Sequence, residues 1–363
     1  MSDQIGLSIN ELDTPFLWVD LDIMESNIAH LAGTFRDLGV GWRPHTKGIK
    51  VPEIAHALIA SGAIGMTCAK QSEAEVLASA GIDSILIANQ IVPRGKIARL
   101  AFLQRQADVM VAVDHLDNAK DISNAAERAG FRIGVLVEVN IGMNRCGTLP
   151  GSPTVELARQ IADLPGIELR GLMGWEGHVV DMADREEKER ACVRAIESLV
   201  HTADMARSHG LELPIVSCGG SGSYTITAKV PGVTEIQAGG AVFGDVTYAK
   251  WGATTQCALH IQATVTSRPS PSRAMVDAGF KTMSGDVSMP EVVGLPGVTL
   301  TGLDAEHGYL TIENDDVQVR PGDRVNFHVG YGDSTVFLHD TLVGVRNGKV
   351  EAVWEIQGRG KLT

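Results

Sequence analysis

From about residue 15 to about residue 250, short runs of β-branched and apolar residues alternate with longer stretches of helical periodicity. No other feature constrains the fold as strongly. Strand-like runs lie at 16–19, 41–43, 65–68, 84–87, 108–113, 133–139, 169–173, 215–217 and 235–237. Helical stretches fill the gaps, for instance 22–36, 72–80 and 185–208, with Asp114 and Ser72 placed where N-caps are wanted. Roughly eight such units predict a (β/α)8 TIM-type barrel. A doubly wound sheet is the competing architecture, but no G-x-G-x-x-G follows the first strand.

Past residue 250 the helical period disappears and strand-like runs separated by turns take over, at 259–265, 273–276, 308–312, 324–328, 341–345 and 350–354. Asn347-Gly348 is a hairpin signal between the last two. The expected division is a barrel over 15–250 and a C-terminal antiparallel β domain over 251–363, with residues 1–14 free to join the latter. Hydrophobic content of 44% and charged content of 21% fit a soluble globular protein with an ample core. A net charge of −13 argues against nucleic acid or an anionic membrane as partner, though not against an anionic small ligand. Five scattered cysteines without a C-x-x-C pair read as reduced thiols. The opening residues lack the basic and apolar regions of a signal peptide, and the apolar runs are too short to span a bilayer. A cytoplasmic protein is expected.

The stretch Arg43-Pro44-His45-Thr46-Lys47 ends an early strand and puts a lysine where barrels place their chemistry. Lysine amines bond to carbonyl groups, including that of pyridoxal phosphate (PLP), but a lone strand-end lysine is more often simply solvated. Two glycine-rich turns sit near the end of the barrel, Ser217-Cys218-Gly219-Gly220-Ser221-Gly222 and Ala238-Gly239-Gly240-Ala241. Turns after the seventh and eighth strands are where barrels cradle phosphate on free backbone N–H groups. Together with the lysine they point to a phosphorylated cofactor. Arg145 ends another strand and is suited either to an anionic oxygen or to an ion pair with a nearby loop. Trp175-Glu176-Gly177-His178 ends the next; His178 suits a general base and Trp175 a stacking partner, against the plainer reading of a Trp–His packing contact.

These motifs make the chain resemble the D-threonine aldolase, 3-hydroxy-D-aspartate aldolase and D-serine dehydratase family, PLP enzymes on the alanine racemase type of barrel. The likeness extends over Asp13-Thr14-Pro15, Gly142-Met143-Asn144-Arg145-Cys146-Gly147, Asp277-Ala278-Gly279, Glu306-His307-Gly308 and Leu338-His339-Asp340. The Glu-Gly-His and Glu-His-Gly elements are more similar to the aldolase branch. The resemblance implies that Lys47 holds PLP covalently, that Arg145 lies near its phenolic oxygen, and that Ser217, Gly219, Gly220, Ser221, Gly239 and Gly240 surround its phosphate. Gln237 would face the pyridine nitrogen, where the related racemases have arginine. The implied reaction is retro-aldol cleavage of a β-hydroxy-D-amino acid to a glycine and an aldehyde, with His178 or Tyr331 as proton acceptor. Dehydration or racemisation on the same cofactor is the alternative, and a PLP-binding protein without turnover a third reading. A homodimer is also implied.

Two departures stand out. Trp175 replaces the tyrosine usual in its element. The family's divalent metal is held by a His-x-Asp or His-x-Cys pair, and here Tyr331 stands at the histidine position beside Asp333. His328 is three residues too early, so His328 and Asp333 are the remaining candidate ligands. Ligand number and charge weigh against a retained metal.

Overall fold

The computed structural model describes residues 2–313 and 317–363. Eight parallel strands follow one another around one sheet: Gly41–Trp42, Met66–Cys68, Ser84–Gln90, Asp108–Val113, Ile133–Val139, Ile167–Gly174, Ile215–Cys218 and Glu235–Ile236. The last pairs with the first, Trp42 opposite Ile236. Between the first and second strands a bridge from His45 to Thr67 completes the ring, with Thr67 N donating to Pro44 O at 2.9 Å. The expected barrel is therefore present. Ile133–Val139 is buried at every position, as a strand must be when helices cover one face and side chains fill the other. The buried Arg43 lies inside the barrel wall, its guanidinium on Glu235 and on Ser84 Oγ at 2.9 Å.

The strand expected to open the barrel lies elsewhere. Phe16–Asp20 runs antiparallel to Leu259–Ser270 and parallel to Thr341–Arg346 in a second, nine-stranded sheet. Its side chains alternate between half-buried and buried, the habit of a strand with one face on a core and the other partly wet. The parallel pair makes this sheet mixed, where an antiparallel one was expected. Asp20 ends the strand, and its carboxylate immediately caps the helix Leu21–Asp37 by accepting from Ile23 N at 3.0 Å. No residue intervenes between the two elements.

The second sheet also holds Arg273–Val276, Gly308–Ile312, Arg324–His328 and Lys349–Glu355, all anticipated, together with Glu291–Val293 and Val298–Leu303, which were not. Asn347 and Gly348 turn its last hairpin with φ of 50° and 71°, as a two-residue turn of this hand requires. Residues near the N-terminus lie against the same hairpin: Gly6 N donates to Val350 O and Ile9 N to Gly348 O, both at 2.9 Å. The expected caps move by a residue or two. His115 caps Leu116–Ala129, while Asp114 accepts from Gly147 N at 3.0 Å; the helix Gln71–Ser79 begins one residue before Ser72. Among the described residues, no helix is long and apolar enough to cross a membrane.

Candidate active site

The C-terminal ends of the barrel strands meet around a cavity of about 440 Å³. Lys47 enters it from the 3-10 turn Thr46–Gly48, just past the strand Gly41–Trp42. The glycine turns that follow Ile215–Cys218 and Glu235–Ile236 line it too, and Met143, Arg145 and Trp175 stand on the loops after the neighbouring strands. Asn89, Gln90 and Glu138 form a further wall. Gln90 Nε2 donates to Glu138 Oε2 at 2.5 Å, and burial pushes the Glu138 carboxyl up.

On the glycine side the backbone comes close because side chains are missing. A Cβ on Gly239 would stand 2.0 Å from His45 O, and one on Gly240 would stand 2.1 Å from the Tyr248 ring. Gly220 lies under the indole of Trp175, with only 2.5 Å for a Cβ. Ser221 Oγ accepts from Ala241 N at 2.8 Å and so joins the two turns. Ser217 is buried behind the cavity and accepts from Gln237 Nε2 at 2.8 Å, which leaves Gln237 in the lining with a fixed orientation. Glu176 is fully buried beneath the first turn. It accepts from Ser223 Oγ at 2.6 Å and from Gly219 N at 3.3 Å, and burial pushes its carboxyl up.

On the lysine side the second unit reaches in. Loop residues 329–332 are stitched to the helix Val246–Lys250: Val246 N donates to Val329 O at 3.1 Å, Thr247 N to Gly330 O at 3.0 Å and Gly332 N to Asp245 Oδ2 at 2.7 Å. Tyr331 and Asp333 follow on that loop. Lys47 Nζ, Tyr331 Oη and Tyr248 Oη all bond Asp333 Oδ2, at 2.9, 2.9 and 3.1 Å. Burial pushes the Asp333 carboxyl up, but the Lys47 ammonium and the hydrogen bonds from Lys47 and Tyr331 outweigh it and hold the group below its ordinary value. Burial and the Asp333 charge raise the Tyr331 phenol. Asp333 comes this near because Gly48 has no side chain; a Cβ there would stand 2.3 Å from Oδ1. His45 Nδ1 accepts from Lys47 N at 3.2 Å, and burial pushes this imidazole down to about 3, so it is neutral.

Of the residues named from sequence, Lys47, Arg145, Trp175, Gly219, Gly220, Ser221, Gln237, Gly239, Gly240 and Tyr331 line one cavity, and Ser217 supports it. His178 does not. It is exposed on an adjoining groove with Ile141, Met182 and Arg194, its ring against Gly142. His328 ends its strand with its ring 4.8 Å from that of His260, and its contacts share nothing with those of Asp333. The structure does not join His328 and Asp333 into a metal pair. Among the described residues no three His, Cys, Asp or Glu side chains gather as a metal site. Sequence reasoning missed His45, Tyr248, Glu176 and Asp245. His45 and Glu176 stood inside the motifs without a role; Tyr248 and Asp245 gave only the hint of an Asp-x-x-Tyr just after the last barrel strand.

Comparison with known proteins agrees with this geometry. Residues 19–247 match the family described as alanine racemase, N-terminal domain, and residues 258–345 the putative serine dehydratase domain. A D-threonine aldolase from an Arthrobacter species is 37% identical over 361 residues, 98% of this chain and 95% of that protein. The 3-hydroxy-D-aspartate aldolase of Paracoccus denitrificans strain Pd 1222 is 34% identical over 98% of this chain and 94% of its own. The crystal structure of D-threonine aldolase from Filomicrobium marinum superposes with a TM-score of 0.96 at 36% identity, covering 99% of both chains. The chain belongs to the family of D-threonine aldolases, 3-hydroxy-D-aspartate aldolases and D-serine dehydratase-like enzymes built on the alanine racemase type of barrel.

Proposed function

We propose that this chain is a PLP-dependent lyase that cleaves a β-hydroxy-D-amino acid between Cα and Cβ, releasing glycine or a substituted glycine and an aldehyde. One observation carries the reading: a strand-end lysine and two close-approach glycine turns line one cavity, in a chain similar to aldolases along its whole length. PLP, when bound covalently through Lys47, supplies the electron sink for the broken bond. The cavity fits it. The close-packed turns at Gly219–Gly220 and Gly239–Gly240 suit a phosphate, their backbone drawn in and joined by Ser221. Gln237, held by Ser217, is a neutral partner for the ring nitrogen and leaves it unprotonated. Trp175 and Arg145, both in the cavity lining, would flank the ring and its phenolic oxygen. The proposed division of labour gives cofactor binding to the barrel, about 21–250, and gives Tyr331 and Asp333 to the β unit, 251–363 together with Phe16–Asp20. Proton transfer is assigned to the lysine side of the cavity rather than to His178, which faces the adjoining groove.

A homodimer in the cytoplasm is part of the same proposal, supported by the family resemblance and by five cysteines that are all free. Size-exclusion chromatography with light scattering tests the dimer. Product analysis on the D- and L-isomers of threonine, phenylserine and 3-hydroxyaspartate tests the reaction. Glycine and aldehyde from D-isomers alone are expected. Ammonia with a keto acid, or a racemised substrate without aldehyde, overturns the reading in favour of dehydration or racemisation.

A further inference from the structure

The histidine of the family's metal pair is missing here, with Tyr331 in its place. Asp333 Oδ2 receives three donors, Lys47 Nζ, Tyr331 Oη and Tyr248 Oη. With Lys47 on the cofactor the two phenolic O–H groups still occupy this oxygen. Asp333 Oδ1 is buried without a hydrogen-bond partner and boxed in by Gly48. Tyr331 presents an O–H that is donating, where a metal would need a basic nitrogen or a negative charge. This donor set does not fit a divalent cation.

Tyr331 is also held for a task. Its ring packs between Tyr248, at 5.6 Å between centroids, and Trp251, at 5.9 Å, and it lines the cavity beside Lys47. Its O–H points at Asp333, and its oxygen, beside the Tyr248 hydroxyl, can still accept a further hydrogen bond from the cavity.

We propose that Tyr331, backed by Asp333, replaces the divalent metal as the group that meets the substrate's β-hydroxyl, so that the enzyme works without a metal ion. The inference rests on the aldolase reading. The β-hydroxyl proton passes to Tyr331 Oη as the phenolic proton passes to Asp333 Oδ2. The oxygen's electron pair becomes the aldehyde C=O bond, and the Cα–Cβ pair would be taken up by PLP bound in the cavity. One proton leaves the substrate and ends on the Asp333–Lys47 pair. Tyr248, the other donor on the same oxygen, positions the carboxylate.

The test uses the PLP-loaded enzyme, its metal content measured as purified and its activity before and after dialysis against EDTA. Mass spectrometry for metals is expected to find no stoichiometric ion, manganese to leave Tm unchanged, and aldehyde formation to be insensitive to EDTA. Tyr331→Phe is expected to lower kcat on the order of a hundredfold, with KM and the visible cofactor band unchanged. Tyr331→His restores a His-x-Asp pair and is expected to gain a manganese-dependent rise in Tm. A stoichiometric metal in the wild type, activity lost to EDTA, or full kcat in Tyr331→Phe would each overturn the proposal. Should no D-isomer yield aldehyde, the aldolase reading fails and the relay with it, while metal content and Tm still judge the metal-free site separately.

Discussion

On the glycine side of the cavity the protein presents backbone: turns drawn in until a single methyl group would collide, braced by serine hydroxyls and by a buried glutamate. On the lysine side it presents charge: an ammonium, a carboxylate and two phenols converging on one oxygen. The first wall is made by the barrel alone, while the second exists only where the loop after Arg324–His328 enters. A wall of backbone dipoles holds a fixed anion without titrating. A wall of coupled side chains can move protons but depends on two units keeping register. Anchoring and chemistry are thus assigned to different materials.

The largest effect that would sharpen this contrast is expected from Lys47→Ala. Turnover should fall below about one-thousandth, with loss of a borohydride-sensitive visible band, while the glycine side still retains inorganic phosphate as a competitor of PLP. Activity or a covalent band surviving in the variant would break the assignment.

Gly239→Ala attacks the other wall. The new methyl meets His45 O at 2.0 Å, so the turn must move, at a cost of about 1–3 kcal/mol in stability and with markedly weaker PLP retention. Tm and a PLP titration measure both, and unchanged PLP affinity would show that the turn does not carry the phosphate.

Asp245 stands at the join, accepting from Gly332 N and Tyr248 N, both at 2.7 Å. Burial pushes its carboxyl from 3.8 up to about 7. Between those values the folded state binds more protons than the unfolded one. Its contribution therefore destabilises progressively as pH rises through that window and levels off above about 7, with a slope on the order of 1 kcal/mol per pH unit. Urea midpoints measured across the window, in the wild type and in Asp245→Asn, check this. The variant should lose that slope.

The smallest effect is expected from His178→Ala. Exposed and outside the cavity, the side chain should contribute within about ±0.5 kcal/mol to stability and leave kcat nearly unchanged. A large fall in kcat would return the proton-transfer role to His178 and undo the division between the walls.

Much of this was legible in the sequence because barrel strands are written plainly: Ile133–Val139 is apolar or buried throughout and flanked by periodic helices. Phe16–Asp20 was misplaced because five residues are too few to separate an alternating strand from a fully buried one, and its partners lie more than two hundred residues away. Val298–Leu303 does alternate, and the turns around it obscured the pattern. The glycine wall was readable since its function lies in consecutive residues. The lysine wall was only half readable: nothing local tells Lys47 that it will meet Asp333, or places Tyr248 on the same oxygen. His178 looked catalytic because its motif ends a barrel strand, but the 3-10 turn Gly177–Val179 carries its side chain outward.

The double duty of Asp20, last residue of one sheet and cap of the first barrel helix, bears on how such enzymes can be recombined. The seam has no slack, so a hinge opening there would have to unzip a strand or uncap a helix. The β unit is also discontinuous, since one of its interior strands is supplied from ahead of the barrel. A chimaera that exchanges only the C-terminal third between relatives would graft a sheet with a strand of foreign origin in its interior. The smallest transplantable half consists of two segments, 2–20 and 259–355.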